Sequence, residues 1–319
     1  MTDIDPDSVT PLRTPLPDTG LPWRWPQPLK ISWLVYTAFI VGIAAVMVVA
    51  VIKAVDDDEP GLVVGFVSLM VMLGLTSIGM LGKSGFRSIG LPSRIIPCDG
   101  DRFGKGIQVP KERLEHAILI TALLGAATAG LTTALVWYLG IGETLLPFGR
   151  ETNSGANYMG ICGGVALIAA LFLLAIRLPT TVSIYPTGVR RRVRQWRGLS
   201  FRTYDAFLPW DDIAQISADE LVVGGGWSET GRPRIKLKSA TPVPVDQQLH
   251  FDAENEITLM AYQLVGEPNT LLSLLLFLKD NPDQRGIVAG PDARELLTPP
   301  PLRERFRVAR LAKKGALDA

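Results

Sequence analysis

Histidine and cysteine are almost missing from this sequence, with two of each among 319 residues: His116, His250, Cys98 and Cys162. Such scattered side chains give no ligand spacing for a zinc site and no disulfide framework. A Ser–His–Asp arrangement would have to recruit one of the two histidines. Neither has suggestive neighbours, and His116 stands at the threshold of an apolar run. The chain is therefore read as non-enzymatic, with no cofactor and no bound metal.

Charge is the second absence. Four runs, 31–53, 61–82, 117–140 and 157–177, contain no Asp, Glu, Lys, Arg or His apart from Lys53 and Arg177 at their ends. Each has about the twenty residues a helix needs to cross the hydrocarbon core of a bilayer. Long helices of water-soluble proteins show a charged face, and these show none. The lack of ionisable groups within the spans argues against a pump or coupled transporter. Small residues recur there at close spacing: Gly61 with Gly65, Gly125 with Ala129, Ala126 with Gly130, and Gly160 with Gly164. Such pairs let helix backbones approach. They are read as packing a four-helix transmembrane region, with a face for a partner or a second copy as the alternative.

No short apolar core with a small-residue cleavage site precedes the first run, so no removal of a leader is expected. The proline-studded residues 1–30 are read as a disordered arm. Trp23, Trp25 and Trp33 bracket the start of the first span, where indole rings suit the membrane–water interface.

The formal net charge of +1 conceals a segregation of charge along the chain. Between the first two spans, "KAVDDDEPG" holds four carboxylates and one lysine; between the last two, Arg150 is the one basic residue. The loop 83–116 carries Lys83, Arg87, Arg94, Arg102, Lys105, Lys111 and Arg113, and more arginines follow the last span. By the positive-inside rule the middle loop and both termini are expected to be cytoplasmic.

Within that loop, "PCDGDRFGKGIQVPKERLEH" (97–116) fails the phosphate-loop pattern, because three residues rather than four separate Gly100 from Gly104. It fails the calcium-loop pattern at Phe103 and Pro110. Asp99 and Asp101 leave a D-x-D pair of the kind common in turns. The preceding residues 83–96 mix apolar and basic side chains, and read equally as an interfacial segment or as a plain Gly/Pro-rich loop.

Beyond the spans the pattern changes to a period of two. "TTVSIY" (180–185) and "VRRRVRQWRG" (189–198) read as a hairpin around "PTG". Arg190, Arg192, Arg194 and Trp196 then share one face, with Val189, Arg191 and Val193 on the other. Further strands are expected at 213–223, 233–239, 248–252 and 256–263. An apolar helix follows within 267–285, capped by Asn269 or Thr270 and stopped by Pro282. After "LTPPP" comes "LRERFRVARLAKK" (302–314), where Arg303, Arg307, Arg310 and Lys314 cluster on a helical wheel and Arg305 spoils the pattern. It reads as a basic amphipathic helix or a disordered basic tail.

The order of these segments resembles the bacterial pleckstrin-homology-like domain, on "VSIYPTGVRRRV" (182–193), "FLPWDDIAQIS" (207–217) with Trp210 and Ile213, and "LLSLLLFLKDNPDQR" (271–285). The resemblance covers about a third of the chain, roughly 178–288. It implies a seven-stranded bent sheet with a C-terminal capping helix, and a role in oligomerisation or protein binding. In the wider superfamily, basic residues on the first two strands meet lipid headgroups.

The fold class expected is thus membrane α-helical, with four transmembrane helices and loop 83–116, plus a cytoplasmic β-rich pleckstrin-homology-like domain (178–288) and a basic tail (289–319). A strand tethered close behind a span meets the anionic inner leaflet, where each basic residue contributes about 1 kcal/mol; a nucleic-acid partner is not expected. Arg190, Arg192, Arg194, Trp196 and Arg197 are the candidates for lipid contact, against a solvated or partner-facing strand. Gly61, Gly65, Gly125, Gly130, Gly160 and Gly164 are the candidates for helix packing. The function expected is a non-catalytic membrane scaffold or accessory subunit that binds an unidentified membrane partner, or itself, and docks on anionic lipid. The alternative is a component of a small-molecule or lipid transport assembly.

Overall fold

The computed structural model describes residues 23–100, 102–140, 152–176, 178–197, 200–223 and 230–315, without the side chains of Glu115, Arg197, Thr230 and Lys313. The chain divides into a helical unit and a sheet unit.

Among the described residues, four helices are long and apolar enough to cross a membrane: α1 (Ile31–Asp56), α2 (Pro60–Lys83), α3 (Leu114–Leu139) and α4 (Asn153–Ala175). They form a row rather than a closed bundle. Among the described residues α1 packs extensively only on α2, α2 also on α3, and α3 also on α4. The sheltered side of α1 includes Trp33, Thr37, Ile40, Ala44, Met47, Val51 and Ala54. That alternation of four and three is the coiled-coil period.

The α3–α4 seam is built from small residues. Ala156, Gly163 and Ala170 recur every seven residues on α4, facing a seam with Ala127, Gly130 and Ala134 on α3. A Cβ on Gly130 would lie 2.7 Å from the Met159 carbonyl oxygen, and one on Gly163 would lie 2.8 Å from the Leu131 nitrogen. Gly61 meets Val136, Gly125 meets Ser68, Gly160 meets Ala134, and Gly65 is buried. Gly164 is the exception: nothing lies within 4 Å of its Cβ position, because its neighbour Gly163 holds the seam. The polar pairs Trp137 Nε1–Asn153 Oδ1 (2.9 Å) and Tyr138 Oη–Asn157 Oδ1 (2.6 Å) tie the same two helices together. We expect Gly163→Leu to cost about 1–3 kcal/mol by overpacking, lowering the melting temperature in detergent, while Gly164→Leu leaves it unchanged.

The sheet unit draws on described residues before 27, on 90–111 and on 180–300. Its described residues form eight strands: β1 (Ile96–Gly100), β2 (Gly104–Pro110), β3 (Thr180–Tyr185), β4 (Gly188–Arg197), β5 (Ser200–Pro209), β6 (Ile213–Val223), β7 (Thr230–Ser239) and β8 (Glu256–Leu259). The first five form one antiparallel sheet in chain order, and the last three form another. Inward residues such as Ile107, Ile184, Leu208, Ile235 and Leu259 meet the apolar face of α5 (Pro268–Asp280) in one core.

Several expectations are corrected here. Within the loop 83–116, residues 96–100 and 104–110 form β1 and β2, whereas 84–95, read equally as an interfacial segment or a plain loop, are turns and irregular backbone with Ile95 fully buried. Trp25 is 5% exposed within the sheet unit's core, where its backbone exchanges two hydrogen bonds with the Asn269 side chain. It is therefore no interfacial residue, and the arm is ordered by residue 25; residues 1–22 lie outside the described residues. Residues 248–252 form turns rather than a strand. The cap of α5 is Glu267, which accepts from the Thr270 N–H at 2.6 Å with Pro268 at the first helical position. Asn269 is engaged with Trp25 instead. The unit also continues past 288, because Val288, Ala293 and Leu297 belong to its core. Beyond Pro301 the described residues of the tail form α6 (Leu302–Gly315).

Candidate functional site: the outer face of the β4–β5 hairpin

Antiparallel register fixes which side chains meet on this face. Arg190 lies opposite Phe207, Arg192 opposite Asp205, Arg194 opposite Thr203, and Trp196 opposite Phe201. The alternation of β4 sends Val189, Arg191 and Val193 inward, all of them buried.

The arginines do three different jobs. Arg191 is 2% exposed, and its guanidinium donates to both carboxylate oxygens of Asp252 (2.9 and 2.6 Å) and to the Thr258 and Gln247 carbonyls. It holds the 247–258 segment against the sheet. Arg190 donates twice to Asp205, Nε to Oδ1 at 2.7 Å and Nη2 to Oδ2 at 2.6 Å. Its guanidinium also lies over Phe103, which stacks on Phe207 at 4.1 Å. The hydrogen bonds to Asp205 outweigh partial burial and push the Arg190 pKa further up. Arg190 is therefore already committed to a neighbour.

Toward the hairpin tip the side chains turn outward. Arg192 is 62% exposed, its Nε 4.0 Å from Asp205. Arg194 lies over the Phe201 ring at 4.8 Å, and Arg202 over Tyr204 at 5.1 Å. Trp196 and Phe201 sit 6.0 Å apart, each 45% exposed. Phe201 completes a surface that β4 alone does not define, while Arg202 has the alternation of Tyr204 and belongs to the opposite face. The signal in the sequence is the alternation of "SFRTYDAFLP", with Tyr204, Ala206 and Leu208 inward. Arg197 belongs to β4, and its side chain lies outside the described residues.

The electrostatics of the second sheet differ. There Asp219 pairs with Arg234 (2.6 Å) and Lys236 (3.3 Å), and Lys236 also approaches Glu256. Burial would raise the Asp219 carboxyl, but the Glu220 N–H and the two cations hold it below its ordinary value. That face is balanced. On the hairpin the one carboxylate, Asp205, is shared between Arg190 and Arg192.

Cations stacked on exposed rings suit anionic headgroups or an acidic, aromatic-rich protein face. The nearest thiol, Cys98, is pushed up by burial, despite hydrogen bonding to Tyr185. Among the described residues no cluster of three His, Cys, Asp or Glu could hold a metal. No family model, curated protein or solved structure matches the chain.

Proposed function

We propose that the chain is a non-catalytic scaffold or accessory subunit of a bacterial inner membrane. Its sheet unit is a pleckstrin-homology-like domain on the cytoplasmic side, which binds a partner protein and docks on anionic lipid through the β4–β5 hairpin. The observation that carries this reading is the hairpin tip, where exposed Arg194 lies over the Phe201 ring beside Trp196, with exposed Arg192 on the same face. Aromatic and arginine side chains dominate the energetics of protein interfaces, and indole rings flanked by basic residues suit the headgroup layer.

Two sheets closed by α5 agree with the pleckstrin-homology-like reading. The departure is that the first two strands come from between the candidate spans, giving eight strands where the resemblance implies seven. Trp25, 90–111 and 180–300 share one domain, so these segments lie on one side of any membrane that the helices cross. Basic residues on those segments favour the cytoplasmic side.

The test is purification of the full chain from its membrane in mild detergent, beside the variant Arg192→Ala/Arg194→Ala/Trp196→Ala. The wild type is expected to retain a stoichiometric membrane partner, and loss of the anchors weakens capture by about thirtyfold or more. Equal capture by both proteins removes the hairpin from the interface. A lone homo-oligomer removes the accessory role.

A further inference from the structure

The tail helix α6 belongs to the helical unit, and its attachment there is specific. Arg305, fully buried, donates from Nη1 to the Gln27 side chain and the Arg87 carbonyl (both 2.9 Å), and from Nη2 to the Ser88 carbonyl (2.8 Å). Next to it, Phe306 meets Phe86 edge-on at 5.9 Å and rests against Gly85. Ala309 closes the contact at 6% exposure. Gly85 adopts φ +114°, and a Cβ there would press on both the Phe306 ring and the Pro28 carbonyl. The Lys30 N–H donates to the Ser84 carbonyl, joining the start of α1 to the end of α2. The helix is thus clamped to the residues that begin one candidate span and end the next.

The opposite side of α6 presents Arg303, Arg307, Arg310 and Lys314, all exposed and spaced four, three and four apart. At that spacing four cations form one stripe. Residues 27–31, 83–89 and 302–315 contain a single acid, Glu304, against Lys30, Lys83, Arg87 and the cations of α6. Lys83 also lies over the Trp33 ring at 5.3 Å, a pairing suited to the headgroup layer. A stripe with almost no counter-charge, fixed where the spans end, complements a layer of lipid phosphates.

We infer that α6 is an interfacial helix that binds the headgroups of anionic phospholipids in the same membrane, with Arg305 as the residue that positions it. This assignment stands on the spans and not on the β4–β5 hairpin.

Hydrogen exchange of the full chain in nanodiscs tests it, comparing phosphatidylcholine alone with three parts phosphatidylcholine to one part phosphatidylglycerol. Each basic residue at an anionic surface is worth about fivefold in affinity. The amides of 302–315 are therefore expected to exchange at least about tenfold more slowly in the anionic discs. Arg303→Gln/Arg307→Gln/Arg310→Gln, at exposed positions, should exchange like wild type in neutral discs and lose the slowing in anionic ones. The corresponding lysine variant should keep it. Equal exchange of 302–315 in both discs, or slowing that survives the glutamine variant, overturns the inference. Peptides covering 189–204 report the hairpin in the same experiment, so the two surfaces succeed or fail separately.

Discussion

Arg191→Ala will open the sheet unit. Removing one partner of a buried ion pair costs about 3–5 kcal/mol, because the other charge is left without compensation. Here the abandoned group is Asp252, whose side chain is fully buried. Asp252 also accepts the backbone N–H groups of Leu249 and Thr258, at 2.7 and 2.9 Å. Asp252→Ala should therefore cost at least as much as Arg191→Ala. The double variant Arg191→Met/Asp252→Leu should recover only part of the loss, since those two N–H groups stay unpaired. Hydrogen exchange of β4 and β8 in the intact protein measures the opening free energy. Arg192→Ala, on the exposed face of the same strand, should leave those amides within about 0.5 kcal/mol of wild type. If Arg191→Ala behaves like Arg192→Ala, the buried pair does not hold the sheet.

Trp25→Ala carries the second large effect. Emptying a buried tryptophan site costs about 3–5 kcal/mol, although the residue lies far in the chain from everything it touches in the core. Cleavage of a native protein through transient opening follows the open population. Proteolysis within 200–260 should accelerate about a hundredfold or more, with the spans intact. Trp25→Phe should recover much of the protection, because the backbone bonds to Asn269 persist and an aromatic ring still fills part of the site. Trp23, two residues earlier and only half-buried, should tolerate alanine far better. Wild-type proteolysis rates in Trp25→Ala would exclude this residue from the core.

The contrast between those two tryptophans shows where the sequence stops being legible. The four spans announce themselves by a lack of charge, a property local to each run. The alternation of β4 is equally local, so the inward place of Arg191 and the outward place of Arg192 could be read directly. Strands β1 and β2 could not: Pro97, Gly100, Gly104, Gly106 and Pro110 carry turn chemistry. They are extended because β2 pairs with β3, far along the chain. Asn269 and Thr270 are favoured cap types, yet Glu267 caps α5, as Pro268 at the first helical position signals. At Arg305 a charge falls on the sheltered side of an amphipathic helix, which reads as a flaw in the pattern. The carbonyls of Arg87 and Ser88 that it binds are more than two hundred residues away. On the hairpin, Arg192, Arg194 and Trp196 were accessible to pattern, whereas the capture of Arg190 by Asp205 and the contribution of Phe201 required the register of β5.

The origin of β1 and β2 also has a consequence in time. About seventy residues, including α3 and α4, separate Pro110 from Thr180. At roughly 5–20 residues per second of translation, the finished β1–β2 ribbon waits several seconds for its neighbour to leave the ribosome. During that interval the edge of β2 is bare, and unpaired edges invite association with other chains. If α3 and α4 enter a membrane as they are made, they do so before the sheet closes. A nascent chain stalled or misinserted at α3 would expose an unfinished ribbon, giving quality-control factors a handle on assembly before the protein is complete.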